Sequence, residues 1–417
     1  MRSITYLRHG ESTGNASGVV QGHGTSPLSE RGRLQAAAVG ERLRNQRFDL
    51  VISSDMERAM QTAEALVLPF TTDAAWREMD VGSWDGLTND EIGDQFADEL
   101  IALRRGEDVP VGGVGETPSE LVDRVCAAMA AALDNLEDGQ SALVVCHGGV
   151  IEAVLGLVLG IRDPHRLVAR ATNTSLTTVV ATPGGFRLIR FNDAAHLGAV
   201  TGWADSRLRD GGLVLGLVRH GRTAANASGR WQGQTDAGLD DLGRRQAADL
   251  AAWYGEFGAL YASPLGRAYL TAEALANGST PTIHPGLVEL GMGAWEGHTG
   301  DEIVAGWPEL WDRIYEEEED LPRGDSGETW AGMQERVTAA LSEVIEHHES
   351  GHIGVVSHGA AIRGYVCSVL GLNHSTRRKL GVPANTSVSH VVFEDGRRVL
   401  ADYNVAPHLE SSLLRPR

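Results

Sequence analysis

Short apolar runs alternate along the chain with longer stretches in which apolar residues recur at helical spacing. Three runs in the first half are bounded by polar or glycine-containing turns and predict buried strands: ITYLRHG, DLVISS and SALVVCHGG. Two longer stretches predict amphipathic helices: LSERGRLQAAAVGERLRNQ, with Ser29 as the expected N-cap, and SELVDRVCAAMAAAL. Strand and helix patterns therefore alternate through this half of the chain.

Strands that alternate with helices favour a parallel or mostly parallel sheet that helices cover on both faces. The predicted fold class is accordingly α/β, with a three-layer α/β/α arrangement. In such sheets the reactive groups lie at the carboxyl ends of the strands. His9 and His147 each follow an apolar run directly, so both are candidates for this edge.

The second half of the chain repeats the first. At a shift of 211 residues, four polar residues fall on identical residues: His9 on His220, Asn15 on Asn226, Glu78 on Glu289 and His147 on His358. The segment VISSDMERAMQTAEAL also resembles LYASPLGRAYLTAEAL, which aligns Arg58 with Arg267. A repeat of this length indicates a duplicated domain, because the units of solenoid proteins are far shorter.

The boundary between the two copies can be located from their matching ends. The first copy closes with RFNDAAHL and the second with DYNVAPHL, and a polar, glycine-containing stretch follows the first of these. The sequence therefore predicts domains at residues 1–200 and 213–417, each a three-layer α/β/α domain, with a linker at 201–212.

Composition narrows the class of protein. The formal net charge of −20 argues against nucleic acid or an anionic membrane surface as a partner. The three cysteines are too few and too scattered for a disulfide framework or a zinc site. The N-terminal segment lacks a signal-peptide pattern, and no run of about 20 apolar residues could span a bilayer. We expect a cytoplasmic enzyme without a cofactor or metal; the sequence leaves its oligomeric state open.

Each half offers the same set of reactive side chains: two histidines, two arginines and one glutamate before a glycine-containing turn. The arginines are Arg8 and Arg58 in the first half, and Arg219 and Arg267 in the second. Two planar, permanently charged guanidinium groups suit a phosphate. An imidazole beside that phosphate can attack it and form a covalent intermediate, and the leaving oxygen then needs an acid such as glutamate.

Both halves resemble the histidine phosphatase superfamily, the phosphoglycerate-mutase-like group of enzymes. The resemblance rests on the Arg-His-Gly turn after the first strand, together with a later Arg, Glu and His, all occurring twice in order. It implies that His9 and His220 are nucleophiles and that Glu78 and Glu289 are proton donors. It further implies that the phosphate is held by these residues: Arg8, Asn15, Arg58 and His147 in the first site, and Arg219, Asn226, Arg267 and His358 in the second.

Several assignments have alternatives within the same half. Glu91 or Glu116 could replace Glu78 as the acid, although Glu116 and its counterpart Glu328 are better explained as carboxylates that cap a following helix. His23, after a Gln-Gly turn, is expected to face solvent, with contact to substrate as the second possibility.

The resemblance favours a phosphatase over a mutase, because the Gln-Gly turns are similar to the phosphatase branch and neither half has room for the longer insertions of mutases. We expect both domains to hydrolyse small phosphorylated metabolites such as sugar phosphates. The alternatives are a mutase, or one active domain beside a binding or regulatory domain. The residue after each Arg-His-Gly turn changes from Glu11 to Arg222. The segments that should cover the sites, 88–114 and 301–325, also diverge. Both differences predict different substrate preferences for the two domains.

Overall fold

The computed structural model describes residues 1–394 and 396–409 and divides the chain into two compact units. Unit 1 comprises Met1–Arg166 and Arg170–Gly198, and unit 2 comprises Leu167–Ala169 and Ala199–Arg417. The predicted linker, residues 201–212, contains a helix at Gly202–Arg209. Its residue Ala204 is buried against Val214 and other residues of unit 2, so this helix is part of that unit's packing.

Unit 1 is built from a sheet and the helices between its strands. The strands are β1 (Ser3–Arg8), β2 (Leu50–Ser53), β3 (Thr71–Thr72), β4 (Ser141–Cys146), β5 (Leu176–Thr182) and β6 (Gly185–Asp193). The helices are α1 (Thr13–Ala16), α2 (Glu30–Leu43), α3 (Glu57–Glu64), α4 (Asn89–Gln95), α5 (Ala97–Arg104), α6 (Pro118–Asp134) and α7 (Gly148–Leu159). Single turns of 3-10 helix lie at Ala74–Trp76, Gly82–Trp84, Val111–Gly113 and Pro164–Arg166.

Unit 2 repeats this order after the helix α8 (Gly202–Arg209). Its strands are β7 (Leu213–Arg219), β8 (Ala259–Ala262), β9 (Thr282–Ile283), β10 (Gly351–Ser357), β11 (Val388–Glu394) and β12 (Arg397–Val405). The remaining helices are α9 (Ala224–Ala227), α10 (Asp241–Tyr254), α11 (Gly266–Leu275), α12 (Gly300–Gly306), α13 (Pro308–Tyr315), α14 (Trp330–Glu346) and α15 (Gly359–Val369). Turns of 3-10 helix lie at Pro285–Leu287, Gly293–Trp295, Arg377–Lys379 and Pro407–Leu409.

The sheet of each unit is mostly parallel, as predicted. In unit 1, β3, β2, β4 and β1 run parallel in that order. The sheet continues with β5, which pairs antiparallel with β1, and with β6, which pairs antiparallel with β5. Unit 2 repeats this with β9, β8, β10, β7, β11 and β12. The predicted α/β fold class is confirmed.

Helices cover both faces of the sheet. Adjacent residues of a strand point to opposite faces, and both Tyr6 and Leu7 of β1 are fully buried. Leu7 packs in a cluster with Val39 of α2 and Ala59 of α3, whereas Tyr6 lies on the opposite side against Trp76, with ring centroids 5.9 Å apart. This accounts for the three layers.

The register of the parallel strands fixes the edge at which the polar residues gather. Arg8 lies opposite Cys146, so His9 and His147 leave adjacent strands side by side. In unit 2, Arg219 lies opposite Ser357, and His220 and His358 follow in the same way. Ser29 is the N-cap of α2, as predicted, and accepts a hydrogen bond from the backbone of Gly32.

The two units differ in a buried polar network away from this edge. In unit 1, Asp193 receives two hydrogen bonds from Arg42, at 2.9 and 2.7 Å, and lies 3.3 Å from Arg190. In unit 2, the corresponding strands carry His390 and Asp402, joined at 2.7 Å, and the Tyr254 hydroxyl group bonds to the same imidazole. Although burial alone would raise it, the pKa of Asp193 lies far below its usual range because of the two arginines.

We expect Asp193→Asn to lower the free energy of unfolding of unit 1 by about 3–5 kcal/mol, the scale for breaking one partner of a buried ion pair. The substitution leaves Arg42 buried without a negative charge. Urea-dependent hydrogen exchange, read on peptides from unit 1, measures the change. The control is Glu41→Gln, whose pair with Arg44 has side chains 65% and 66% exposed and should contribute less than about 1 kcal/mol. Equal effects of the two substitutions would contradict this account.

Candidate active sites

Two histidines face each other at the carboxyl edge of the sheet in each unit. The ring centroids of His9 and His147 are 5.1 Å apart with an interplanar angle of 58°, and those of His220 and His358 have the same separation and angle. All four side chains are buried. The structure thus brings together the histidines that the repeat predicts.

A backbone hydrogen bond sets the tautomer of the first histidine. Nδ1 of His9 lies 2.7 Å from the carbonyl oxygen of Gly10, and Nδ1 of His220 lies 2.7 Å from that of Gly221. Because a carbonyl oxygen only accepts, Nδ1 carries the proton. In the neutral ring Nε2 then has a lone pair, which is the form a nucleophile requires.

The second histidine is oriented by a serine that the sequence analysis missed. Nε2 of His147 lies 2.8 Å from Oγ of Ser54, and Nε2 of His358 lies 2.8 Å from Oγ of Ser263. Each serine directly follows a strand, β2 or β8, that pairs with the strand before the histidine. The serine after each strand, aligned in both copies, is the sequence signal that could have identified it.

Two arginines flank each pair of histidines. Arg58 and Arg267 are almost fully buried. Their guanidinium groups donate to backbone carbonyl oxygens, Arg58 to Gly22 at 2.9 Å and Arg267 to Gly233 at 2.6 Å. Nε of Arg267 also donates to Nδ1 of His358 at 3.2 Å. Carbonyl oxygens fix the orientation of these groups without neutralising their charge.

The arginine of the Arg-His-Gly turn is anchored in the same manner. Nη1 of Arg8 donates to the carbonyl oxygen of Ala171 at 2.5 Å, and Nη1 of Arg219 donates to that of Pro383 at 2.6 Å. Each site therefore combines two guanidinium groups and two imidazoles, which is an arrangement that can hold a dianion.

Burial and the neighbouring positive charges together keep the imidazoles neutral. Burial, followed by the charges of Arg58 and Arg8, holds the pKa of His9 well below its usual range. Burial and the charges of Arg219 and Arg267 do the same for the pKa of His220. The pKa values of His147 and His358 are lowered by burial and by their neighbouring histidine and arginines.

Asn15 and Asn226 lie in short helices directly after the turn. Oδ1 of Asn15 accepts from the backbone of Ser12 and from Nδ2 of Asn173, both at 3.2 Å. Asn173 also donates to the carbonyl oxygen of His9 at 3.0 Å, and Asn385 repeats this with His220 at 2.9 Å. Since the carbonyl end of Asn15 is occupied, its NH₂ group is the part that can serve an anion. Asn173 and Asn385 belong to the repeated NTS triplet, but the sequence analysis assigned them no role.

Glu78 and Glu289 face the N-terminus of the helix that follows the second histidine. The carboxylate of Glu78 accepts from the backbone of Gly149 at 3.1 Å, and that of Glu289 accepts from Ala360 and Ala361 at 3.1 and 3.0 Å. A Cβ atom built on Gly148 would lie 3.7 Å from Nε of Arg8 and 3.9 Å from Oε2 of Glu78, so both side chains approach this glycine. Burial raises the pKa of Glu78 despite these backbone hydrogen bonds and Arg58.

The alternative acids lie elsewhere. Glu91 is exposed and belongs to the capping box of α4. The sequence analysis expected Glu116 to cap a helix, but Thr117 is the N-cap of α6. The Glu116 carboxylate instead pairs with Arg124 at 2.7 Å, and Arg124 donates to the carbonyl oxygen of Glu78 at 3.2 Å.

Unit 2 contains the same support, with Glu328 paired to Arg336 at 2.7 Å and Arg336 bonded to the carbonyl oxygen of Glu289 at 3.2 Å. Thr329, not Glu328, caps α14. His23 lies 2.9 Å from the carbonyl oxygen of Glu78, where unit 2 has Gln234 at 3.1 Å from that of Glu289. The backbone of each acid is therefore held from two sides. Of these residues the sequence analysis considered only His23, which is exposed to solvent as expected.

The change from Glu11 to Arg222 does not place opposite charges toward the phosphate-binding residues. Glu11 accepts from Ser29, the N-cap of α2, at 2.7 Å. Arg222 donates to Asp240, the N-cap of α10, at 2.8 Å. Both side chains are committed to the start of the following helix, so the predicted influence of this position on substrate preference lacks a structural basis.

The segments predicted to cover the sites differ strongly. In unit 2, α12 and α13 form an apolar cluster around the buried Trp295 that includes Trp231, Trp307 and Trp311. In unit 1, the corresponding α4 and α5 leave Arg104 and Arg105 exposed. Across residues 1–394 and 396–409, no helix has the length and apolar character needed to cross a membrane.

Two regions of the chain match the same known protein family. The sequence model of the Histidine phosphatase superfamily (branch 1) matches residues 4–194 and again residues 215–406. The chain belongs to this superfamily. Each match contains one complete set of the side chains described above, so the predicted family and its tandem arrangement are confirmed, as is the predicted class of enzyme, a histidine-type phosphatase.

Individual members of the histidine phosphatase superfamily match about half of the chain. Phosphoserine phosphatase 1 of Hydrogenobacter thermophilus is 32% identical over 201 residues, which cover 47% of this chain and 94% of that protein. Probable phosphoglycerate mutase GpmB of Yersinia pestis is 34% identical over 211 residues, covering 47% and 95%. A solved structure of phosphoserine phosphatase from Entamoeba histolytica shares 30% identity, with a TM-score of 0.45, and covers 47% of this chain and 99% of its own.

We expect His9 and His220 to remain neutral at about pH 6.5, where an unperturbed histidine is half protonated. As the pH rises, a histidine whose pKa is lowered has already lost its proton when that pH is reached. Both rings should therefore show the neutral Nδ1–H tautomer. ¹⁵N NMR of histidine-labelled protein measures this, with signals assigned from single substitutions. His165 is the control, because its hydrogen bond to Glu152 raises its pKa and should keep it charged. A doubly protonated His9 at that pH would contradict the assignment.

Proposed function

We propose that each unit hydrolyses phosphomonoesters through a covalent phosphohistidine, with His9 and His220 as nucleophiles. Nε2 attacks phosphorus, the bond between phosphorus and the ester oxygen breaks, and the departing oxygen takes a proton from Glu78 or Glu289. Water then attacks the phosphohistidine and gives a proton to the same carboxylate, which releases inorganic phosphate and restores the imidazole. These roles follow the prediction from the sequence.

The observation that carries this proposal is the bond from Nδ1 of His9 to the carbonyl oxygen of Gly10, repeated at His220. It leaves the lone pair of the neutral ring on Nε2, in a ring whose centroid lies 5.1 Å from that of the second histidine. An imidazole is a useful nucleophile only when it is unprotonated, and the lowered pKa supports that state.

The remaining polar residues support phosphate binding. Phosphoryl transfer depends mainly on positioning and on stabilising negative charge. We assign this role to the side chains that surround the nucleophile, namely Arg8, Asn15, Arg58 and His147 in unit 1 and Arg219, Asn226, Arg267 and His358 in unit 2. Their anchoring by carbonyl and hydroxyl groups leaves them arranged before substrate arrives.

The position of Glu78 supports its role as the acid. Its carboxylate and Arg8 both approach Gly148, its pKa is raised by burial, and Arg124 and His23 hold its backbone. The other candidates are committed to the cap of α4 and to the ion pair with Arg124. A carboxyl group with a raised pKa is suited to hold a proton until the ester bond breaks.

We further propose that both units are active on small phosphorylated metabolites, sugar phosphates among them, with separate preferences. Both sets of reactive residues are complete, and the covering segments differ, since one is aromatic and the other exposes arginines. The relatives named above include a phosphoserine phosphatase and a probable phosphoglycerate mutase, which supports a small phosphorylated substrate.

We expect His9→Ala and His220→Ala each to leave partial phosphatase activity with a changed substrate profile, and the double variant to be inactive. Each substitution removes one nucleophile and spares the other. Phosphate release from p-nitrophenyl phosphate and a panel of sugar and amino-acid phosphates, measured in EDTA, tests this. Loss of all activity in either single variant would refute independent sites, and loss of activity in EDTA would refute hydrolysis without a metal.

The same panel separates hydrolysis from phosphoryl transfer. A phosphatase releases inorganic phosphate from every substrate that it turns over. A mutase instead isomerises a phosphorylated hydroxy acid and retains its phosphohistidine in water. Isomerisation that exceeds phosphate release in both single variants would overturn the proposed hydrolysis.

We expect Glu78→Gln, made in the His220→Ala chain, to slow phosphoryl transfer from alkyl esters by roughly 10²–10⁴-fold, the scale of general acid catalysis. An ester with a good leaving group, such as p-nitrophenyl phosphate, needs less protonation and should lose less. Single-turnover quench-flow measures the first step for both ester types. Glu91→Gln is the matched control and should be silent. Equal losses for both ester types would refute the role of Glu78.

A further inference from the structure

Three arginines converge in unit 2 beside the segment that covers its site. Arg323 and Arg377 are 1% and 4% exposed, and Arg363 is half-buried. Arg323 lies in the loop before α14, Arg363 on α15 and Arg377 in the 3-10 turn after that helix. Nη2 of Arg363 donates to the carbonyl oxygen of Arg377.

Aromatic rings lie beside the guanidinium groups of Arg363 and Arg377. The guanidinium carbon of Arg363 lies 5.5 Å from the ring centroid of Trp330, and that of Arg377 lies 5.7 Å from the same ring and 5.5 Å from Tyr315. Stacking on aromatic rings orients the cations but supplies no negative charge.

One carboxylate is available to this cluster. Asp320 lies 3.0 Å from Arg323, and its oxygens also accept from the backbone of Trp330 and Ala331 at 2.7 Å, at the start of α14. Among the described residues, neither Arg363 nor Arg377 has a carboxylate within 4.0 Å. The cluster therefore holds more positive than negative charge.

Several donors of the cluster are buried without a hydrogen-bond partner in the part of the chain that the structure describes. They are Nε of Arg323, Nε of Arg363, Nη2 of Arg377 and, beside them, Nε2 of His374. Burial and the neighbouring arginines lower the pKa of Arg377 to about 10. Buried donors and cations without partners are costly, and an anion would satisfy both deficits.

Unit 1 differs at two of the three matching positions and keeps an arginine, Arg166, at the position of Arg377, where it pairs with Asp163 at 2.9 Å. Val111 replaces Arg323, and Glu152 replaces Arg363 on the helix after the second histidine. Glu152 lies 3.4 Å from His165, in the loop that corresponds to that of Arg377. The arginine cluster is therefore not a requirement of the shared fold.

The cluster borders the candidate site of unit 2. Helix α15 begins beside His358, and Arg363 lies five residues later, about 7.5 Å along the helix axis. Burial raises the pKa of Tyr403, whereas the charges of Arg363 and Arg219 both lower it, and its hydroxyl group donates to the carbonyl oxygen of Gly381 at 2.6 Å. Arg219 is itself anchored two residues further, at Pro383.

We propose that Arg323, Arg363 and Arg377 form an anion subsite in unit 2, which binds a second anionic group of the substrate, a carboxylate or a phosphate, while the ester phosphate lies at His220. This deepens the proposed function of unit 2 and rests on it.

The test compares two esters that differ in one group. 3-Phosphoglycerate carries a carboxylate where glycerol 3-phosphate carries a hydroxymethyl group. In the full chain with His9→Ala, which leaves unit 2 as the source of activity, the first ester should have the higher kcat/KM. Arg363→Gln should reduce that preference roughly 10- to 100-fold, the scale of one hydrogen bond between charged groups, and should spare glycerol 3-phosphate. Arg363→Lys should retain part of the preference.

Glu152→Gln in the same background is the matched control and should leave the preference unchanged. Equal effects of Arg363→Gln on both esters, or none, would overturn the subsite for substrate. If the His9→Ala chain turns over neither ester, the proposed function of unit 2 fails. A binding measurement then decides whether the three arginines bind an anion.

That measurement is anomalous diffraction from crystals of the full chain soaked in selenate, a phosphate analogue. A peak between the three guanidinium groups, lost in Arg363→Gln, is expected, and its absence would overturn the anion site altogether. A peak together with an unchanged ester preference would show that the cluster binds a free anion from solution, and would overturn the role in substrate selection.

Discussion

The parallel register of two neighbouring strands is the constraint on which both candidate sites depend. Because β1 pairs with β4 and β7 pairs with β10 residue for residue at their carboxyl ends, two histidines leave each sheet together. A shift of one residue would turn one of them to the opposite face. The serine after β2 or β8 reaches the second histidine for the same reason. The chemistry of each unit is therefore set first by backbone hydrogen bonds and only then by side chains.

The buried arginines at these edges are anchored by neutral groups. Arg58 and Arg267 donate to carbonyl oxygens of the Gln-Gly turn, and among the described residues neither has a carboxylate oxygen within 4.0 Å. An acid at that position would fix the guanidinium group equally well but would cancel the attraction for phosphate. Burial is the larger cause of the lowered pKa of the adjacent imidazoles, and this positive charge adds to it. The arginines thus contribute both to phosphate binding and to the neutral state of the nucleophile.

The sequence predicted the residues whose setting recurs in both copies. His9, Arg58 and Glu78 could be identified because each has an identical counterpart in a similar local sequence. Residues that act through contacts distant in sequence were missed, such as Arg124, which supports the backbone of Glu78 from a helix 46 residues away. The capping role predicted for Glu116 was wrong, because the N-cap of α6 is the next residue, Thr117. Hydrophobic periodicity does not locate the start of a helix to within one residue. The helix within residues 201–212 was missed because its apolar contacts are made with strands that follow it in the chain.

The different buried networks of the two units have a consequence for how a duplicated gene persists. Repeated segments within one gene tend to recombine and so to become alike or to be lost. An exchange that replaced β6 with the segment of β12 would remove Asp193 from Arg42, whereas the reverse exchange would remove Asp402 from His390. Either hybrid would leave a buried polar group without its partner. Divergence in the interior therefore protects the copies from homogenisation, and it leaves each free to acquire its own specificity.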